Sequence, residues 1–148
     1  MFPNAKGSEL LSVLATIDPA AQAAGVVSTG WLSMANHHGL LALVQTGLLG
    51  TSATVDAKLQ QAVDSSGTSA KDITGKAITQ IVKAAGDNKQ ALINVKPEEL
   101  DTAGGFGYVR LSVTVGVAAS QTSAQVLGLS PRFAPADAFN QAAVAQVV

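Results

Sequence analysis

Residues 108–117 alternate without a fault. Val109, Leu111, Val113, Val115 and Val117 share one parity, and Arg110, Ser112, Thr114 and Gly116 share the other. A period of two held this long, in mainly β-branched residues, predicts a strand. One row of side chains meets a core and the other meets water or a partner. A helix would scatter the same valines around its circumference. This stretch commits the chain to sheet structure, and shorter runs of the same kind fill most of the remainder. They lie at 27–34, 39–46, 54–61, 71–73, 77–82, 90–95 and 123–129. Polar and glycine-rich clusters such as Asp64-Ser65-Ser66-Gly67-Thr68-Ser69 punctuate them. About eight strands at intervals of roughly ten residues predict an all-β, antiparallel sandwich or jelly-roll-like domain.

The two ends read differently. Residues 1–24 are expected to be an N-terminal arm, with Ser8 capping a short helix that runs to Leu14 and stops before Asp18-Pro19. Residues 25–133 form the sandwich. Residues 134–148, with Phe139, Val144 and Val147, are expected to be a C-terminal arm.

Composition removes several function classes. Charged residues are 13% of the chain and the net charge is −1, so there is no basic footprint for nucleic acid and no polybasic run for an anionic membrane. The absence of cysteine excludes disulfides and thiolate metal sites. No stretch approaches the ~20 apolar residues of a membrane-spanning helix. The first residues lack the basic-then-apolar order of a signal peptide, so the protein is expected to be intracellular when made.

The search for chemistry returns little. His37 and His38 are adjacent, so a strand would turn them to opposite sides, and beside Asn36 and Gly39 they read as turn residues. Asp56, Asp64 and Asp72 read as solvated. No Gly-x-Ser-x-Gly elbow, phosphate loop or dinucleotide fingerprint is present. The expectation is a non-enzyme, with no catalytic residues, no metal and no cofactor. Trp31 reads as core. Arg110, on the outer face of the 108–117 strand, is either solvated or paired across an interface.

Several segments carry a family resemblance. They are 54–62 with 66–73, then Gly75-Lys76-Ala77-Ile78-Thr79-Gln80, 88–94, Glu99-Leu100-Asp101, 104–115 and Leu129-Ser130-Pro131-Arg132-Phe133. Together they resemble small virion structural proteins of tailed bacteriophages and prophages, encoded near the major capsid protein. The resemblance spans about residues 26–135. It implies a capsid decoration (cement) protein on the outside of an icosahedral shell, assembled in the host cytoplasm. It implies the major capsid protein as partner and self-association as a homotrimer. On that reading the interface residues are Phe2, Leu10 and Leu14 in one arm, Phe139, Val144 and Val147 in the other, and Arg110 on the body. A head–tail joining or tail protein is the first alternative. A carbohydrate-binding sandwich, with Trp31 and Tyr108 as stacking platforms, is the second.

Overall fold

In a computed structural model, which describes residues 4–133 and 135–148, ten strands form two antiparallel sheets. They are β1 (Leu11–Gln22), β2 (Gly25–Ser28), β3 (Leu32–Ser33), β4 (His37–Thr46), β5 (Thr54–Ala62), β6 (Lys71–Ala77), β7 (Ile81–Val82), β8 (Gln90–Val95), β9 (Tyr108–Gly116) and β10 (Ser120–Pro131). The first sheet has the order β1-β10-β4-β8 and the second β2-β9-β5-β6; β3 pairs with β9 and β7 with β5.

The order has a simple origin. β5 pairs with β6, β4 with β8, β2 with β9 and β1 with β10. These pairs nest inside one another. The chain is one long hairpin, doubled back and wrapped so that alternate pairs fall in opposite sheets. That is the jelly roll.

The core lies between the sheets. Val109, Leu111 and Val113 from β9 are at most 1% exposed and join Leu40, Ala42, Val44 and Val126 in one cluster. The alternation of residues 108–117 is therefore realised as expected up to Gly116, beyond which Val117 turns outward at φ 69°. Alanines at 15, 42, 53, 57 and 124 let the sheets close over a core with few aromatic residues.

The expected 27–34 strand is interrupted. β2 stops at Ser28, where the Thr29 hydroxyl takes over as acceptor for Leu111 N at 3.1 Å. Gly30 and Trp31 leave the sheet before β3 resumes. The expected breaks around residue 75 also shift: β6 is continuous from Lys71 to Ala77, and β7 holds only two residues.

The N-terminal arm is corrected. A single helical turn, α1 (Gly7–Leu10), is capped at Lys6 rather than Ser8, and the Glu9 carboxylate accepts from Lys6 N at 2.7 Å. From Leu11 the chain is an edge strand in register with β10, from Leu11↔Leu129 to Gln22↔Ser120. Helical spacing of Leu10, Val13 and Leu14 lost to burial of Ala15 and Ile17 against the core. Asp18-Pro19 falls in the register shift between Ile17 and Ala20. An edge-strand irregularity tolerates proline because the missing N–H has no ladder partner to lose.

The C-terminal arm is docked over its first half. A 3₁₀ turn, Ala136–Phe139, buries Ala136 completely. Val13 N donates to Asn140 Oδ1 and Gln141 N donates to Val13 O, both at 2.8 Å. The segment thus covers the free edge of β1 around Val13–Thr16 and blunts it there against unwanted pairing.

Candidate functional site

The two outward faces of the sandwich differ in kind. On the first sheet, Leu40, Ala42, Val44 and Val126 face the core, so the alternation turns Leu41, Leu43, Leu127 and Leu129 outward. Leu92 on β8 lies opposite Leu43 and is 60% exposed. β4, β8 and β10 contain no Lys, Arg, Asp or Glu. Gln125 stands in the row of Leu43 and Leu92, and beyond that row the face ends in Gln45, Gln90 and Gln121. There a hollow of about 410 Å³ is lined by Pro19, Ala20, Gln45, Gln121 and Ser123 among others, none of them charged. At the margins Asp18 on β1 and Lys96 after β8 add one charge of each sign. A leucine-bearing surface with a mainly polar rim is the pattern of a contact face.

The second sheet turns outward a lattice of ion pairs. Lys58 Nζ meets Asp72 Oδ2 at 2.8 Å, Lys71 meets Asp101 at 2.6 Å and Lys76 meets Glu99 at 2.7 Å. The bond from Lys58, seconded by Gln60, holds the Asp72 carboxyl below its ordinary range. Lys71 does the same for Asp101, Lys76 for Glu99, and Lys83 for Asp87. Asp64 is lowered chiefly by the Thr68 hydroxyl inside its own turn. Exposed pairs of this kind organise a solvated surface and contribute little to stability.

Trp31 and Arg110 meet on this second face. The guanidinium carbon lies 4.6 Å from the Trp31 ring centroid, and Arg110 Nε donates to Gln60 Oε1 at 2.9 Å. The indole also lies against Gly67, where an added Cβ would strike Nε1. Trp31 is half-buried between a cation and a turn, so it belongs neither to the core nor to an open stacking platform.

His37 departs from its expected place in a surface turn. It opens β4 and is 2% exposed. Its Nε2 lies 2.7 Å from Ser12 Oγ, also buried, and its ring packs edge-on to Phe139 at 5.3 Å. Nδ1 is buried without a partner among the described residues. Sequence offered no signal for this, because the pairing of residues 12, 37 and 139 comes from closure of the first sheet. Burial disfavours the imidazolium and lowers the pKa. The unfolded chain therefore binds the proton first. Stability is complete above the unfolded value of about 6.5 and is lost as pH falls from there through the folded value. The lowered carboxylates act only in the more acidic range. Between pH 7 and 5 urea midpoints are therefore expected to fall for the natural protein. His37→Gln is expected to flatten that slope.

The expected interface residues do not converge. Phe2 lies outside the described residues. Leu10 ends α1 and is half-buried, and Leu14 packs against the core at a register shift of β1, which corrects its placement on a free arm. Phe139 is held against His37 of its own chain, Val144 is half-buried, and Val147 is 49% exposed. Arg110 sits on the opposite face, committed to Trp31 and Gln60. The leucine face was missed as a site because an apolar run such as 40–44 looks the same whether both its faces are covered or one. Among the described residues no group of three or more His, Asp or Glu is placed to hold a metal ion. No helix among them is long and apolar enough to cross a membrane.

No family model matches the chain, and no curated protein matches it. Solved structures of similar outline include that of infectious bursal disease virus, Gx strain, at 10% identity and TM-score 0.46, covering 86% of this chain and 33% of that one. A family 22 carbohydrate-binding module of Clostridium thermocellum aligns at 14% identity and TM-score 0.39, covering 87% and 90%. The empty virus-like particle of cowpea mosaic virus aligns at 12% identity and TM-score 0.36, covering 88% and 89%. The jelly-roll assignment rests on the strand order of this chain itself, a fold that serves both capsids and sugar-binding domains.

Proposed function

We propose that this chain is a non-enzymatic bacteriophage capsid decoration protein, seated on the outside of an icosahedral shell and bridging neighbouring capsomers of the major capsid protein. The observation that carries the reading is the asymmetry of the sandwich. One face is leucine-bearing, with charge at its margins in Asp18 and Lys96, and the other is solvated by ion pairs. The first face is laid on the shell and the second faces water. Apolar burial of about 25 cal/mol per Å², repeated over many copies, supplies adhesion without a charge pattern. The near-neutral chain also avoids repelling its neighbours in a dense lattice. The family resemblance over residues 26–135 points the same way, and no cofactor or nucleic acid enters the scheme.

The test is co-sedimentation with purified expanded shells. Leu41→Lys with Leu127→Lys, both half-buried on the contact face, is expected to weaken binding more than tenfold while the far-UV spectrum stays unchanged. Full binding by the double variant would sink the proposal. Saturation at six or twelve copies per particle, instead of hundreds, would move the protein to the head–tail junction.

A further inference from the structure

The four outer edges of the two sheets are managed unequally. β1 is covered around Val13–Thr16 by Asn140 and Gln141, and its later half is broken by a register shift at Asp18-Pro19. β2 is four residues long, and β6 carries Lys71, Asp72 and Lys76. Short and charged edges resist pairing. β8 has none of these devices. It closes the first sheet opposite β1, runs for six residues and holds no charge. The bond from Thr46 N to Lys89 O sets the alternation with β4. Ala91, Ile93 and Val95 therefore exchange bonds with β4, and Gln90, Leu92 and Asn94 turn their N–H and C=O groups outward. Among the described residues none of these outward groups has a backbone partner beyond β4.

The chain also carries a segment suited to fill that edge. Residues 142–148 (Ala-Ala-Val-Ala-Gln-Val-Val) hold no charge, proline or glycine, and Val147 and Val148 are exposed. The last backbone bond in the segment, among the described residues, is Val144 N to Gln141 O. This tail is anchored at β1, at the far side of the sheet from β8. Crossing three strand spacings takes about 14 Å. Residues 142–148 span about 23 Å at most when extended, so no more than the last two or three of them can lie beside β8 of their own sheet. A second copy placed beside the β1 edge presents its own β8 within reach.

We propose that residues 144–148 of one copy add as a strand to β8 of the next. The donor leaves at one edge of the sheet and the acceptor lies at the other, so the contact is head-to-tail; we take it to close into a small ring, the discrete alternative to an open filament. Either register parity offers apolar side chains beside Leu92, Val144 and Val148 on one and Ala145 and Val147 on the other. This inference gives a contact for the self-association that the family resemblance implies, and stands apart from the capsid binding proposed above.

Light scattering on the full chain is expected to give a closed oligomer, and deletion of 142–148 a monomer. Leu92→Pro is expected to do the same with its far-UV spectrum intact, because it removes an N–H that its own sheet does not use. The chain has no cysteine. A mixture of separate Leu92→Cys and Val147→Cys proteins is therefore expected to yield mixed dimers with a short bis-maleimide. A monomeric natural protein, oligomers that survive both the deletion and Leu92→Pro, or no mixed dimers would each overturn the proposal. Shell binding is scored separately. Monomeric variants that still coat shells would support the tail contact and leave the capsid reading standing. A tail-linked ring that ignores shells would support the tail contact and sink the capsid reading alone.

Discussion

Leu111→Ala is expected to cost about 2–5 kcal/mol and to lower the melting midpoint by about 4–20 °C. Leu111 is fully buried at the middle of β9, which lies between β2 and β5 and is paired on both sides. Its neighbours are held in ladders on two sheets, so the site cannot collapse around the lost atoms. The alanines across the core have no long side chains to move into the gap. Leu48→Ala is the control. Leu48 is 59% exposed in the loop after β4, and its truncation is expected to change stability by no more than about 0.5 kcal/mol. Urea melts of the two variants check both values. Equal costs would mean that the packing around Leu111 is no tighter than that of an exposed loop.

The second large effect is at Gly67. Its φ is 83°, and the indole of Trp31 lies where a side chain would go. Gly67→Val is expected to combine about 1–2 kcal/mol of left-handed backbone strain with about 1–3 kcal/mol of overpacking. Gly75 separates the two causes. Its φ is 75°, but a Cβ there meets open space, so Gly75→Val is expected to show the backbone strain alone. Trp31 is the only tryptophan, and its emission reports the difference directly. Gly67→Val is expected to shift the emission to the red, as the indole leaves its place beneath Arg110, and Gly75→Val to leave it unchanged. An unshifted spectrum for Gly67→Val would mean that the indole is not seated on the turn.

Much of the fold was legible beforehand. The alternation of 108–117 marked the most buried strand, and 54–61 and 39–46 marked its partners in the core to within a residue or two. The misreadings share one cause. Residues 11–22 carry a weak helical spacing near their start and a proline near their end, and local rules took both at face value. The register shifts of an edge strand satisfied them otherwise. His37 looked like a turn residue because Asn36 and Gly39 flank it. Its buried contact with Ser12 spans 25 positions and its contact with Phe139 about a hundred, and no local pattern encodes either.

The candidate site was less legible than the fold. Parity assigns Leu41, Leu43, Leu127 and Leu129 to one face, but it does not say what covers that face. The sequence by itself determined that this chain is a β protein with a valine-, leucine- and alanine-rich core, without cysteine chemistry and without a strong charge. Those properties follow from composition and from a period of two, which every strand carries locally. The tertiary structure alone decided which leucines were left outside, which edge was covered and which was left open. The nested pairing joins Leu11 to Leu129 and Leu40 to Val95, and a face or an edge has no covering of its own until such distant partners are chosen.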